Sequence, residues 1–66
     1  MKIDKKKLNL AMARKCLTTA ELSTVAEMPR STVNRVVVGK SAKPWTVGKI
    51  ANALGVDVTE IIETEN

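Results

Sequence analysis

The chain has 66 residues, with 11 Lys and Arg against seven Asp and Glu, and this length predicts one small domain over residues 1–66. One cysteine and no histidine exclude an internal disulfide and a Cys/His metal site, so we expect no metal and no cofactor. No stretch approaches the roughly 20 apolar residues that cross a bilayer, and the basic N-terminus lacks the apolar core of a secretion signal. We therefore expect a cytoplasmic protein without membrane contact.

The spacing of apolar residues predicts an all-α fold of five short helices and no strands. The first helix is expected over residues 5–15, where apolar positions recur every three or four residues. Thr18 followed by Glu21 forms a capping box, which begins a second helix after Leu17. The inner face of this second helix is expected to contain Leu22, Val25 and Ala26.

Pro29 breaks the second helical pattern and suits the first turn of a third helix, expected from about residue 29 to residue 38. Gly39 then ends this helix as a left-handed residue. The three valines at 36–38 prefer strand locally. We predict helix nevertheless, because the run is short, does not alternate with polar residues and has no partner strand in the sequence.

A fourth helix is expected over residues 46–54, with Gly55 at its end. Asp57 followed by Glu60 predicts a second capping box that begins a short fifth helix. This fifth helix is expected to contain Val58, Ile61 and Ile62. The tail at 63–66 is expected to fray, which leaves a core domain over about residues 5–62.

The third helix has a polar side whose composition is unusual for a surface that only meets water. Arginine can donate two hydrogen bonds to guanine, asparagine can pair with adenine, and serine is short and adaptable. Residues 1–56 carry all 11 bases and three acids, a net charge of +8, whereas residues 57–66 carry four acids and no base. This asymmetry is compatible with a basic surface for a polyanion and an acidic end pointing away, and equally with ordinary solvated charge.

The order of motifs from the second helix onward resembles the Cro/repressor (Xre-like) helix-turn-helix family of phage and bacterial regulators. The resemblance covers residues 8–62 and is carried by "LT" with an acid three residues after the Thr, "RSTVNRV", "GK" with a following proline, "KIANALGV" and "TEII". It implies a lambda-repressor-like domain in which the second and third helices form the helix-turn-helix. It also implies a homodimer that binds the major groove of double-stranded DNA. Because the chain has no room for a ligand domain, we expect no small-molecule ligand.

The resemblance assigns site residues position by position. The expected base contacts are Arg30, Ser31, Asn34 and Arg35. The expected phosphate contacts are Thr18, Thr19, Lys40, Ser41 and Lys43. The expected dimer interface contains Val56, Val58 and Trp45, while Ile61 is expected in the core. For Trp45, stacking on the DNA backbone and filling a gap between the third and fourth helices remain open alternatives.

Three positions depart from the family pattern. Glu27 stands where the turn commonly has glycine, so a glutamate is expected to adopt a positive φ. Pro29 replaces the usual Ser or Thr cap and offers no side-chain acceptor to the third helix. Met12 and Val37 stand where the family commonly has an Arg–Glu ion pair, and we expect the two apolar side chains to touch.

These residues favour a sequence-specific transcriptional regulator, most simply a repressor that occupies a palindromic operator as a dimer. An alternative is an antitoxin-like module that neutralises a partner protein and binds DNA secondarily, suggested by the acidic and apolar segment "VDVTEIIETEN". An enzyme is disfavoured, because the chain has no histidine, no phosphate-binding glycine loop and no paired carboxylates on a common face.

Overall fold

The computed structural model describes residues 1–63, and over this range the chain is helical. Four α-helices and one 3-10 turn follow in order: α1 Lys5–Lys15, α2 Thr19–Ala26, α3 Arg30–Val37, α4 Pro44–Leu54 and the 3-10 turn Val58–Glu60. Strands are absent from this part of the chain, where a single antiparallel bridge joins Ile3 to Ile62. The expected all-α fold is confirmed.

Side-chain acceptors fix where three of these elements begin. Asp4 accepts hydrogen bonds from the N–H groups of Lys6 and Lys7 in the first turn of α1. Thr18 and Glu21 form the predicted capping box of α2, and Asp57 and Glu60 form the predicted capping box of the 3-10 turn. Each acceptor satisfies backbone N–H groups that have no partner within the helix, which fixes the starting residue.

Left-handed residues end the helices. Gly39 and Gly55 have φ of 91° and 70°, as the sequence predicts. Cys16 and Glu27 both have φ of 55° and end α1 and α2 without the conformational freedom of glycine. The expectation that Glu27 adopts a positive φ is therefore confirmed, and Cys16 has the same geometry at an exposed position.

The core lies where α1, α2, α3 and α4 meet. It contains Ile3, Leu8, Ala11, Met12, Leu22, Val33, Val36, Val47, Ile50, Ala51, Leu54 and Ile61. Val37 packs against this cluster, in which Met12 is buried, and a direct contact between the two stays a prediction. Val25 was expected inside but is 53% exposed. The buried arc of α2 centres on Leu22 and Ala26 and turns away from Val25.

Three predicted boundaries change. The fifth helix is only a 3-10 turn over Val58–Glu60, because the chain beyond it leaves helical geometry to bridge Ile3 through Ile62. Helix α4 begins at Pro44, two residues before the predicted start, since proline is favoured at a first helical position. Glu63 was expected to fray, but its N–H donates to the Lys2 carbonyl at 2.9 Å. Residues 64–66, the rest of that predicted tail, lie outside the described residues.

Candidate nucleic-acid interface

Helix α3 presents a polar face to solvent along its length. Its buried side is apolar, with Val33 and Val36 only 0% and 2% exposed. The four side chains predicted to contact bases are all exposed: Arg30, Ser31, Asn34 and Arg35. The helix is therefore held by its valines and can offer the opposite face to another molecule without losing its own packing.

A tight turn of Glu27, Met28 and Pro29 joins α2 to α3. The Met28 N–H donates to the Ser23 carbonyl at 3.0 Å, and this bond closes the end of α2 around the left-handed Glu27. Pro29 then fixes the backbone entering α3. The turn sets the angle between the two helices, and with it the direction in which the polar face of α3 points.

The N-terminus of α3 is open, as expected from its proline cap. Pro29 provides no side-chain hydrogen bond to the helix. Its carbonyl accepts from the N–H groups of Thr32 and Val33, at 3.1 and 3.2 Å. The N–H groups of Arg30 and Ser31 find no acceptor among residues 1–63. Free backbone donors therefore lie beside two of the predicted base-contacting side chains.

The N-terminus of α2, unlike that of α3, has a side-chain cap in its capping box. The Thr18 hydroxyl oxygen accepts from the Glu21 N–H at 3.1 Å, and the Glu21 carboxylate accepts from the Thr18 N–H at 2.9 Å. Hydrogen bonding by Thr18, first through its backbone and then through its hydroxyl, holds the pKa of Glu21 below its ordinary value. A phosphate at Thr18 and Thr19 would therefore have to approach next to a carboxylate that is ionised at neutral pH.

An open groove of about 690 Å³ runs between α3 and the start of α4, and we call it the α3–α4 groove. It is lined by Met1, Glu27, Met28, Pro29, Thr32, Arg35, Val36, Ser41, Ala42, Lys43, Pro44, Trp45 and Thr46. It brings together Arg35, Ser41, Lys43 and Trp45, which the sequence assigned to base, phosphate and dimer contacts. Lys40 is exposed outside this lining.

Charge is distributed unequally over the described surface. Arg35 and Lys43 line the α3–α4 groove, where Glu27 is the acidic residue. The described acids of the C-terminal segment lie elsewhere. Asp57 caps the 3-10 turn, Glu60 pairs with Arg14 at 3.8 Å, and Glu63 pairs with Lys2 at 3.7 Å. These two pairs neutralise bases of α1 and the N-terminal segment and leave the groove cationic.

The three residues predicted for the dimer interface do not lie together. Trp45 is in the first turn of α4, 70% exposed, with the Lys49 ammonium 4.8 Å from its ring centroid. Val56 and Val58 follow the other end of α4, about 14 Å away along the helix axis, and are half-buried against the core. Trp45 therefore fills no gap inside the chain, and Ile61 is a core residue as expected.

Two residues near the site were missed by the sequence reasoning. Thr32 lines the α3–α4 groove, and Val38 is 55% exposed at the end of α3. Val38 follows Ser31 and Asn34 by seven and four residues, which places it on the same helix face. That spacing was visible in the sequence. Of the three consecutive valines, Val36 is buried, Val37 is half-buried and Val38 is exposed.

A search among curated proteins finds no significant match. A solved structure of a point mutant of hydroxyethylphosphonate dioxygenase has a similar fold, with a TM-score of 0.83 at 24% identity. The match covers 100% of this chain but only 14% of the dioxygenase chain, so the likeness is one of fold.

Two further findings bear on the class of protein. None of the helices within residues 1–63 has the length and hydropathy required to cross a membrane. The Cro/C1-type helix-turn-helix DNA-binding domain family matches residues 7–66, nearly the whole chain. The buried valines of α3, the three-residue turn before it and its exposed polar face are the geometry such a domain needs. The chain belongs to the Cro/C1-type helix-turn-helix DNA-binding domain family.

Proposed function

We propose that this domain is a sequence-specific transcriptional regulator that inserts α3 into the major groove of double-stranded DNA. The observation that carries the proposal is the division of α3 into a buried valine side and an exposed side of arginine, serine and asparagine. An α-helix with its side chains is about 10–12 Å across, close to the roughly 12 Å width of the major groove.

The side chains of this face match the hydrogen-bonding groups of base edges. Arg30 and Arg35 could each donate two hydrogen bonds to guanine, and Asn34 could pair with adenine. Ser31 is short enough to accept or donate according to the base it meets. Because Arg30 and Ser31 lie in the first turn of α3, they would reach furthest into the groove if the helix enters by its N-terminus.

Backbone contacts would fix the register of α3 on the duplex. Lys40, Ser41 and Lys43 lie between α3 and α4 and are exposed, which suits contact with phosphates bordering the groove. At the start of α2, the N–H groups of Thr19 and Ala20 find no acceptor among the described residues. They could hold a phosphate despite the nearby Glu21 carboxylate.

A homodimer would let two α3 helices read half-sites about 34 Å apart on a palindromic operator. Val56 and Val58 support this part of the proposal, since they are half-buried apolar residues that a second copy could cover. A dimer would also stabilise a chain of this size. Occupancy of an operator is the simplest mode of action. In this proposal the protein is a repressor that works in the cytoplasm and has no catalytic role.

The acidic and apolar C-terminal segment, which suggested the antitoxin-like alternative, no longer supports it. Ile61 is fully buried in the chain's own core, and Ile62 bridges Ile3. The described acids of this segment either cap the 3-10 turn or pair with Lys2 and Arg14. Up to residue 63, the segment therefore serves the domain itself rather than offering a free surface to a partner.

The test of the proposal is selection of bound duplexes from a random DNA library at near-physiological salt, followed by titration of the selected and a random duplex. We expect a palindromic motif and a specific affinity at least about a thousandfold above the random one. Weak binding that ignores sequence and falls steeply with salt would contradict sequence-specific recognition.

Substitutions separate the two kinds of contact in the same titration. Arg30→Ala should reduce affinity for the selected duplex by about 1–3 kcal/mol and relax specificity at one base pair. Lys43→Ala should weaken all duplexes alike and flatten the salt dependence. Equal losses on selected and random DNA for Arg30→Ala would remove its assignment as a base contact.

A further inference from the structure

The first residues of the chain lie between its C-terminal segment and the loop that joins α3 to α4. We call residues 1–5 the N-terminal strap and residues 38–43 the α3–α4 loop. The strap pairs with the C-terminal segment through the bridge of Ile3 to Ile62, which two further backbone hydrogen bonds flank. The Ile3 side chain is 2% exposed, so the strap is anchored in the core.

The strap also contacts the α3–α4 loop, at two points. The Ala42 N–H donates to the Met1 carbonyl at 2.9 Å, and the Met1 nitrogen donates to the Ala42 carbonyl at 2.8 Å. Near the start of the loop, a Cβ on Gly39 would lie 2.7 Å from the Lys5 Cγ, so the Lys5 stem covers this glycine directly. The strap therefore connects the C-terminal segment to both ends of the loop's exposed stretch.

The middle of the α3–α4 loop depends on the strap for its backbone hydrogen bonds. The end of α3 holds Lys40 and the first turn of α4 holds Lys43 through hydrogen bonds to their backbones. Between these two residues, the backbone hydrogen bonds found within residues 1–63 all go to Met1. Without the strap, Ser41 and Ala42 would keep only the packing of the half-buried Ala42 side chain against the core.

We infer that the N-terminal strap positions the α3–α4 loop for its contact with DNA, with Ile3 as the anchor and Lys5 as the support at the start of the loop. This rests on the proposed function, in which Lys40, Ser41 and Lys43 meet phosphates. A loop that is held before binding loses little conformational entropy when it binds, whereas a mobile loop loses more and binds more weakly. DNA affinity thus depends on the pairing of two segments at opposite ends of the sequence.

Amide hydrogen exchange without DNA tests whether the strap holds the loop. The Ala42 N–H reports the bond to Met1, and the Ile50 N–H, inside α4, reports unfolding of the whole domain. Ile3→Ala removes the anchor. Leu54→Ala is the matched control, because it deletes a buried side chain of the same size at the end of α4 far from the loop.

The two variants should differ at Ala42. Opening of the strap exposes Ile3 but leaves Leu54 buried, whereas global unfolding exposes both side chains. We therefore expect faster exchange of the Ile50 N–H in both variants, and faster exchange of the Ala42 N–H only in Ile3→Ala, by at least about tenfold. Equal acceleration of Ala42 in the two variants would show that the loop opens only with the whole domain, and would contradict a separate strap.

Duplex anisotropy tests the consequence for binding, at a temperature where circular dichroism shows each variant to be folded. We expect Ile3→Ala to bind selected and random duplexes about tenfold more weakly and with a flatter salt dependence, since a loosened loop places fewer cations on phosphates. Ile3→Val, which retains most of the side chain, should bind nearly as tightly as the native protein. Leu54→Ala should bind as the native protein does, because a role confined to stability leaves the affinity of folded molecules unchanged.

Lys5 provides a second test that does not depend on the core. Its side chain is exposed, so its substitution leaves the buried cluster intact even if Ile3→Ala fails to fold. Lys5→Ala removes the stem that covers Gly39, whereas Lys5→Met removes the charge and keeps a stem of similar length. We expect Lys5→Ala to bind DNA severalfold more weakly than Lys5→Met. Equal affinities of the two variants would count against the strap as a support of the loop.

The outcomes separate this inference from the proposed function. Faster Ala42 exchange in Ile3→Ala together with unchanged DNA affinity would overturn the inference and leave DNA binding standing. Identical Ala42 exchange in the native protein and Ile3→Ala would overturn it as well. If the native protein changed the anisotropy of no duplex, the proposed function would be rejected, and the inference with it.

Discussion

The starts of α1 and α2 differ from the starts of α3 and α4. Asp4 accepts hydrogen bonds from the Lys6 and Lys7 N–H groups of α1, and Thr18 accepts one from the Glu21 N–H of α2. At α3 and α4 the cap positions hold Pro29 and Lys43, which provide no side-chain hydrogen bond. Both uncapped starts border the α3–α4 groove, whereas Asp4 and Thr18 are outside its lining.

This difference separates helix starts that a side chain stabilises from starts that no side chain caps, although the capped start of α2 also retains the N–H groups of Thr19 and Ala20, which are free within residues 1–63. A cap stabilises a helix by about 1 kcal/mol, and its side chain also occupies one or two first-turn N–H groups that would otherwise be free to bind an anion. The capped ends of α1 and α2 stabilise the fold. The uncapped ends of α3 and α4 leave donors free where we propose that DNA lies.

Adding a side-chain cap to α4 should have the largest effect, because it should raise stability and lower DNA affinity at the same helix start. Lys43→Asp places an acceptor at a position whose backbone is already extended, with φ of −67° and ψ of 148°. We expect the free energy of unfolding to rise by about 0.5–1 kcal/mol, because the carboxylate accepts from the first turn. DNA affinity should fall at least about tenfold, since the same carboxylate displaces the phosphate.

Two further variants separate the effect of the cap from the effect of the charge at position 43. Urea unfolding measures stability, and duplex anisotropy measures DNA affinity. Lys43→Ser caps without a negative charge, and Lys43→Ala removes the cation without capping. Affinity should decrease in the order Ala, Ser, Asp relative to the native Lys43 protein. If Lys43→Asp bound DNA as tightly as Lys43→Ala, the start of α4 would not be a phosphate site.

Removing the side-chain cap of α1 should lower stability and leave DNA affinity unchanged, which is the opposite of the effect expected from capping α4. Asp4 accepts from the N–H groups of Lys6 and Lys7 at 3.0 and 3.1 Å. Asp4→Ala should lower the free energy of unfolding by about 1 kcal/mol, measured by urea denaturation. The affinity of the folded protein for DNA should stay the same. Asp4→Ser, which retains an acceptor, should recover most of the stability; a loss equal to that of alanine would argue against capping.

Relief of backbone strain in the turn before α3 should give a smaller gain. Glu27→Gly replaces a residue at φ of 55° with one that adopts this angle freely, and should stabilise the fold by about 0.5–1 kcal/mol. Cys16→Gly is the matched control, with the same φ outside the groove lining. Both variants should show a similar rise in melting temperature.

Only Glu27→Gly should also change binding, because it removes an acidic residue from the α3–α4 groove. We expect a modest increase in DNA affinity that diminishes at high salt, measured by duplex anisotropy. A gain in affinity of the same size for Cys16→Gly would show that stability, rather than the groove charge, controls binding.

The smallest expected effect is the response of the capping boxes to acid. Hydrogen bonds from Thr18 lower the pKa of Glu21, and hydrogen bonds from Thr59, chiefly from its hydroxyl, lower the pKa of Asp57. Since both folded-state values lie below those of the unfolded chain, this stability is complete at neutral pH. It is lost as the pH falls from about 5 through the lowered values.

Thermal melting between neutral pH and about pH 3 measures this loss. Glu21→Gln should flatten part of the decline, because the amide cannot be protonated in this range. A melting curve with the same pH dependence in native and Glu21→Gln proteins would show that the α2 capping box does not contribute to it.

Local sequence decided the features that depend on a few neighbouring residues. Hydrogen bonding to the backbone within one turn sets the capping pairs Thr18–Glu21 and Asp57–Glu60. It also sets the left-handed helix ends at Gly39 and Gly55. These features could therefore be predicted. The burial of Val33 and Val36 also follows from helical spacing, which in turn fixes the polar face of α3.

The packing of distant segments decided the rest. Periodicity placed Val25 inside, but the angle at which α2 meets its neighbours exposes it. The bridge of Ile3 to Ile62 converts the predicted fifth helix into a 3-10 turn, a pairing across almost the whole chain. Only the packing of α3 and α4 on α2 and α1 brings Arg35, Lys43 and Trp45 into one groove, since the relative placement of separate helices depends on the whole core and not on local sequence.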